Sequence, residues 1–218
     1  RRPPRSTLFP YTTLFRSVTG VVTHFVHASS RPGSLSSNQN LYALLEDRDG
    51  SVWISTSAGL DRYRVDGEGF EHFQPPMVTG GSHKILHLAQ DSRGDLWLGS
   101  FDAGLQRLDP VTGRFTSYAH SDANPASLSN NDVRSVFEDS ANRLWVGTAS
   151  GLDLFDRRTG TFQNYGHDRS NPRSLADSFV VSIDQDRLEF FGVEFTRLAN
   201  SHAALIERYV DARLRESR

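Results

Sequence analysis

Asparagine, aspartate and one phenylalanine occupy short loops in this sequence, and these residue types can hold a polar ligand. Amide and carboxylate groups offer the hydrogen bonds that sugar hydroxyls require, and the Phe101 ring can stack on a sugar. The candidate ligand-binding residues are Asn38, Asn40, Phe101, Asp102, Asn130, Asn131, Asp132 and Asp177. The alternative is structural: Asn and Asp form Asx-turns that start the next strand, and a nearby Ser-Leu-Ser stretch buries its leucine.

Motifs for catalysis, metals or cofactors are absent from the sequence. It has no Gly-x-Ser-x-Gly, Walker or dinucleotide-binding motif, and none of its 8 histidines has the HExxH spacing. Cysteine is absent, which excludes disulfides, a thiolate zinc site and a cysteine nucleophile. Asp47, Asp91 and Asp139 recur once per repeat, which indicates a turn and not a unique catalytic group. We therefore expect a non-catalytic chain with no cofactor and no metal.

The charge balance limits the classes of partner. The 24 basic and 26 acidic residues give a formal net charge of −2, which argues against a nucleic-acid binder driven by bulk electrostatics. No apolar run reaches the ~20 residues that cross a bilayer. We expect neither nucleic-acid binding nor direct membrane contact.

A repeated phrase organises the middle of the chain. Trp53, Trp97 and Trp145 each stand in a short apolar strand, after an acidic turn and before a Gly-Leu pair. The glycines of those pairs are Gly59, Gly104 and Gly151, and with the tryptophans they are the predicted structural repeat residues. Each unit reads as four short strands separated by Gly or Asp turns.

Units of this size that are buried on both faces by their neighbours are typical of β-propeller blades. We predict an all-β chain in which residues 18–186 form a partial propeller, with blades at about 41–73, 84–118 and 132–165 and flanking strands. In a propeller, the loops between blades and those between second and third strands share one face, so the candidate ligand-binding residues should converge there. A closed ring needs at least about four blades, so the remaining blades of a parent propeller are an expected partner.

The third unit carries a family resemblance. Residues 124–139, the phrase at 143–148, the Gly-Leu pair at 151–152 and the turn at 159–162 resemble the two-component regulator propeller repeat. The resemblance implies a fragment of the ligand-sensing propeller of a sensor histidine kinase. It further implies a periplasmic location, a dimeric parent anchored in the inner membrane, and an oligosaccharide or similar ligand. Two alternatives stay open: a generic propeller scaffold for protein interactions, and a propeller-type hydrolase or lyase.

The two ends differ from the middle. Residues 1–17 resemble a translated sequencing adapter, and we expect them to lie outside the fold; a genuine basic leader is the alternative. From 187 to 218, apolar residues recur at intervals of three and four, which predicts an amphipathic helical tail with His202 on its apolar seam. This tail is either a real helix or the product of a frameshift or assembly error.

Overall fold

The computed structural model describes residues 25–63, 69–77, 82, 84–171, 174–175, 179–183 and 188–190. The regular elements of these residues are 14 β-strands, with no helix among them. The prediction of an all-β chain is therefore confirmed. The chain divides into two compact units, Arg1–Pro75 and Pro76–Arg218.

The first unit holds one antiparallel sheet of four strands paired in sequence order. These are β1 (Ala43–Glu46), β2 (Val52–Thr56), β3 (Gly59–Tyr63) and β4 (Phe70–Phe73). Leu35, ahead of the sheet, is fully buried against Ile54 and Phe70. Phe25 adds an edge-on ring contact to Phe70, with centroids 5.3 Å apart. Residues 25–27, ahead of this sheet, are irregular chain and not one of the predicted flanking strands.

The second unit holds two further sheets with the same strand order. The first contains β5 (Ile85–Gln90), β6 (Leu96–Ser100), β7 (Leu105–Leu108) and β8 (Phe115–Tyr118). The second contains β9 (Val133–Glu138), β10 (Leu144–Thr148), β11 (Gly151–Asp156) and β12 (Thr161–Tyr165). A two-stranded sheet of β13 (Val180–Ile183) and β14 (Leu188–Phe190) follows. All three four-stranded sheets lie within the segments predicted as blades.

Strands β6 and β10 are buried at all five positions. Close packing in the second unit depends on the glycine two residues after Trp97 and the one two residues after Trp145. A Cβ on Gly99 would lie 2.9 Å from Cγ1 of Val133, and one on Gly147 would lie 2.7 Å from Cγ1 of Val180. These glycines leave the room that the next sheet occupies, as the small residues in the repeat predict.

The first strands of successive sheets are also joined by polar side chains. The backbone N–H of Val136 in β9 donates to Nδ1 of His87 in β5 at 3.3 Å. The N–H of Ile183 in β13 donates to Oγ of Ser135 in β9 at 2.9 Å. His87 and Ser135 occupy the same position in their repeats, four residues before the turn aspartate. The two hydrogen bonds between sheets are therefore made from equivalent positions.

Each turn aspartate anchors the tryptophan of its own sheet. The indole Nε1 donates to a carboxylate oxygen at 2.7 Å for Trp53 and Asp47, 2.8 Å for Trp97 and Asp91, and 2.9 Å for Trp145 and Asp139. The other carboxylate oxygen accepts backbone N–H groups within the turn. The recurrence of this aspartate therefore has a structural cause.

The repeat glycines are required by the backbone. Gly59 has φ of +135°, and a Cβ there would lie 2.8 Å from the carbonyl oxygen of Phe73. Gly104 and Gly151 also have positive φ and approach the carbonyls of Tyr118 and Tyr165 in the same way. Any other residue would add both strain and a clash.

The predicted helical tail is wrong at its start. Residues 188–190 form β14, which pairs antiparallel with β13 in the register Ile183↔Leu188. The Leu-Glu-Phe sequence alternates apolar and polar residues, so it also fits a strand, and a partner strand is available for its backbone. The predictions for residues 1–17 and for 191–218, including His202, lie outside the described residues.

Candidate ligand-binding face

One edge of the second unit brings together the turn before β7 and the segments before β5 and β9. The N–H of Phe101 donates to the carbonyl of Lys84 at 2.9 Å, and the N–H of Gly104 donates to that of Asn131 at 3.0 Å. The N–H of Ala149 likewise donates to the carbonyl of Asp132 at 3.0 Å. We call residues 82, 84, 101–104 and 129–134 the loop edge. Backbone bonds hold this edge together across two sheets.

The three polar residues before β9 are engaged in hydrogen bonds within the fold. Oδ1 of Asn130 accepts from the N–H of Asp132 at 2.8 Å, which is an Asx-turn, and Nδ2 donates to Ser150 Oγ at 2.9 Å. Oδ1 of Asn131 accepts from the N–H of His120 at 2.7 Å. Asp132 forms a two-pronged ion pair with Arg134, at 2.5 Å and 2.6 Å. These three residues help to hold the loop edge in shape. Their contact with a ligand stays a prediction.

Asp102 fixes the loop before β5. Its Oδ2 accepts from both the N–H and the Oγ of Ser82 at 3.0 Å. Its Oδ1 is buried, with no hydrogen-bond partner among the described residues. The buried Oδ1 is therefore not presented to solvent as a ready ligand contact.

The first unit carries the other two asparagines. Asn38 matches Asn131 in role, because its Oδ1 accepts from the N–H of His27 eleven residues earlier. Asn40 is exposed and has φ of +43°, a left-handed conformation that asparagine tolerates. It is the extra residue of this loop. Asp177 lies outside the described residues.

Phe101 is the apolar side chain of the predicted ligand-binding set, and it is exposed. It is 43% exposed although it is large and apolar. The Lys84 ammonium lies 5.3 Å from its ring centroid, and the Arg134 guanidinium carbon lies 5.4 Å from it. Arg134 is also 5.4 Å from the ring centroid of Phe179, which precedes β13. The result is an exposed ring bordered by two cations.

The sequence reasoning missed Lys84 and Arg134. They are separated from Phe101 by 17 and 33 positions, so local spacing carries no sign of the contact. It also missed the groups that dock the Ser-Leu-Ser loops.

Those loops are held by a buried aspartate and a histidine. The N–H of Ser129 donates to Oδ2 of Asp153 at 2.8 Å, while Nδ1 of His120 lies 2.7 Å from the Leu128 carbonyl. Leu128 itself is fully buried, as the structural alternative for this loop requires. Burial raises the pKa of Asp153, and the hydrogen bond to the Leu128 carbonyl, helped by Asp122, raises the pKa of His120.

The same docking recurs along the chain. In the first unit, Ser36 donates to Asp61 at 2.7 Å and the His27 ring lies 2.7 Å from the Leu35 carbonyl. Near β13, the His167 ring lies 2.6 Å from the Leu175 carbonyl. A histidine eight residues before each loop leucine is the sequence signal that identifies these docking groups.

An open groove of about 600 Å³ lies away from the loop edge, beside the turn between β11 and β12. Two of its arginines already serve the fold. Arg157 pairs with Asp91 at 2.6 Å and with Glu138 at 2.7 Å, and Arg143 pairs with Asp139 at 2.6 Å. Because these charges are paired, the groove is part of the contact between sheets.

No group of three or more metal-ligating side chains occurs in the described part of the chain. A helix able to cross a membrane is likewise not found within it.

Three segments of the chain match the family model described as "Two component regulator propeller", at residues 34–58, 79–102 and 127–150. Each match covers the loop before a sheet and its first two strands. The resemblance proposed from the residues is thereby confirmed.

Solved structures share this architecture. The extracellular domain of the hybrid two-component system BT4673 from B. thetaiotaomicron aligns with a TM-score of 0.62 at 25% identity, over 78% of this chain and 22% of that chain. The extracellular domain of BT3049 from the same organism aligns with a TM-score of 0.56 at 25% identity, over 66% of this chain and 20% of that chain.

A curated relative is similar in sequence. "Histidine kinase P4" of Formosa agariphila is 32% identical over 131 residues, which is 58% of this chain and 9% of the relative. The chain thus spans about a tenth of the length of this relative.

Proposed function

Because the chain carries two-component regulator propeller repeats, we propose that it is part of the ligand-binding sensor domain of a two-component signalling protein, and that its ligand is an oligosaccharide. The observation that carries the proposal is the 43% exposure of Phe101 on a loop edge that backbone hydrogen bonds hold in place. The exposed ring and the neighbouring Lys84 ammonium offer an apolar surface and a hydrogen-bond donor together, which is the combination a ligand site needs.

The proposed role is binding without catalysis. Asp47, Asp91 and Asp139, the carboxylates that recur in the repeat, each accept the indole hydrogen of a tryptophan, so their positions serve the fold. Signalling then depends on a ligand that binds one state of the sensor more tightly than another.

The setting of the proposed sensor follows from its relatives. The aligned structures are described as extracellular domains, which supports a periplasmic or extracellular location. We further propose that the remaining blades of the parent complete the propeller, that the parent is anchored in the inner membrane, and that it signals as a dimer.

Isothermal titration of the chain with a panel of oligosaccharides tests the proposal. We expect heat of binding with one glycan class, and a loss of affinity of at least about tenfold in Phe101→Ala. Val111→Ala is the matched control, because Val111 is 92% exposed in a turn at the other end of β7. Absence of heat across the panel, or equal affinity in Phe101→Ala, would contradict the proposed function.

A further inference from the structure

The loop edge carries one exposed cation that lies outside the ion pairs of the described residues. Lys84 is the single lysine of the chain and is exposed just before β5. No carboxylate forms an ion pair with it among the residues that the structure describes. The Lys84 ammonium lies over the ring of Phe101, 5.3 Å from the ring centroid.

Arg134, the second cation of the loop edge, does form an ion pair. Its Nε and Nη2 are taken by Asp132, whose carboxylate neutralises it. Within the described residues, Nη1 has no recorded acceptor. The guanidinium lies 5.4 Å from the ring centroids of both Phe101 and Phe179, which limits its movement. A planar donor held in this way suits an oxyanion.

Asp102 is the one further carboxylate at this edge, and Lys84 is more accessible to a ligand than this carboxylate is. Its Oδ2 is bonded to Ser82, and its Oδ1 is buried. A ligand arriving from solvent therefore meets the Lys84 ammonium, the Phe101 ring and the outer edge of Arg134.

We propose that the loop edge selects an anionic sugar, in which a carboxylate or sulfate ester pairs with Lys84 and Arg134 while the sugar ring packs against the exposed part of Phe101. This inference rests on the proposed function and narrows its ligand class. Charge-assisted hydrogen bonds to an anionic group are roughly twice as strong as neutral ones, so the charged group adds affinity to ring stacking.

The test compares oligosaccharides that differ in charge alone. The chain is titrated with a galacturonate oligosaccharide, with its methyl-esterified form, which has the same backbone without charge, and with a sulfated oligosaccharide. We expect the acidic form to bind at least about tenfold more tightly than the methyl ester. The galacturonate and sulfated arms separate a carboxylate from a sulfate ester as the recognised group.

Variants assign the charge effect to the site. Lys84→Ala should lose about tenfold affinity for the acidic sugar and none for the neutral one, whereas Lys84→Arg should retain most of it. Arg158→Ala is the control, because that side chain is 84% exposed in the turn after β11, away from the loop edge. High salt should weaken binding of the acidic form only.

The outcomes separate the two proposals. Equal affinity for the acidic and neutral forms, or acidic binding that Lys84→Ala leaves unchanged, overturns the charge inference while the sensor proposal stands. Absence of binding by every sugar overturns the sensor proposal, and the charge inference falls with it.

Discussion

The carboxylate of Asp91 joins its own sheet to the next one by pairing with Arg157. Its Oδ2 accepts the indole hydrogen of Trp97 at 2.8 Å and also pairs with Arg157 of the next sheet at 2.6 Å. The Arg157 guanidinium lies 5.7 Å from the Trp97 ring centroid, and its other arm bonds Glu138. The buried Asp91 carboxylate therefore contributes to the contact between these two sheets.

We predict that Asp91→Asn destabilises the chain by about 3 kcal/mol, because it leaves the Arg157 charge buried beside an uncharged amide. Urea denaturation measures the loss. Asp49→Asn is the matched control, since Asp49 is exposed at the equivalent turn of the first unit. Equal stability in the two variants would show that the Asp91 carboxylate does not hold the sheets together.

Acid stability should depend on the same residue. Burial alone would raise the pKa of Asp91, but hydrogen bonds from Trp97 and Arg157 bring that pKa below its ordinary value. Its contribution is therefore full above about pH 4 and is lost as the pH falls through the lowered pKa. Asp91→Asn should show a shallower acid limb in stability measured against pH, and an unchanged limb would contradict this.

His87 should give a second pH dependence. Burial lowers the pKa of His87 below its ordinary value of about 6.5. The neutral ring accepts the N–H of Val136 in the next sheet. The stability that His87 contributes is present above that value and is lost as the pH falls through the lowered pKa. We predict that His87→Gln, which keeps an acceptor without titrating, is less sensitive to a change from pH 7 to pH 5.

NMR titration offers a direct check on that histidine. The ring resonances of His87 should titrate below 6.5 and those of His120 above it, since the pKa of His120 is raised. Matching midpoints for the two histidines would contradict the burial of the His87 ring in its contact with Val136.

We predict that Gly99→Ala destabilises the second unit by about 1–3 kcal/mol through overpacking. The new Cβ would lie 2.9 Å from Val133 Cγ1 and 3.0 Å from the Val133 carbonyl oxygen. Gly166→Ala is the control, because its nearest neighbour would lie at 3.8 Å. A double-mutant cycle with Val133→Ala should show coupling, and strict additivity would mean that the sheets do not meet at this glycine.

The sheets could be predicted from the sequence because their residues recur in a repeat. The site was harder to predict because its residues meet only through tertiary contacts. Tryptophan, glycine and aspartate recur at fixed offsets because each sheet needs the same turn, buried strand and close approach. The β5–β6 pairing brings Lys84 beside Phe101, and the packing of β9 against these strands adds Arg134, so no local pattern marks the three together. The tail was misassigned at 188–190 because three residues are too few to separate a helical period from strand alternation.

Hydrogen exchange measured with and without a bound oligosaccharide tests the location of the site most directly. The proposed sensor role predicts slower exchange at residues 84, 101–104 and 130–134 when the sugar is bound, with unchanged exchange in the β11–β12 turn. Protection confined to that turn and its arginine groove, with none at Phe101, would contradict it.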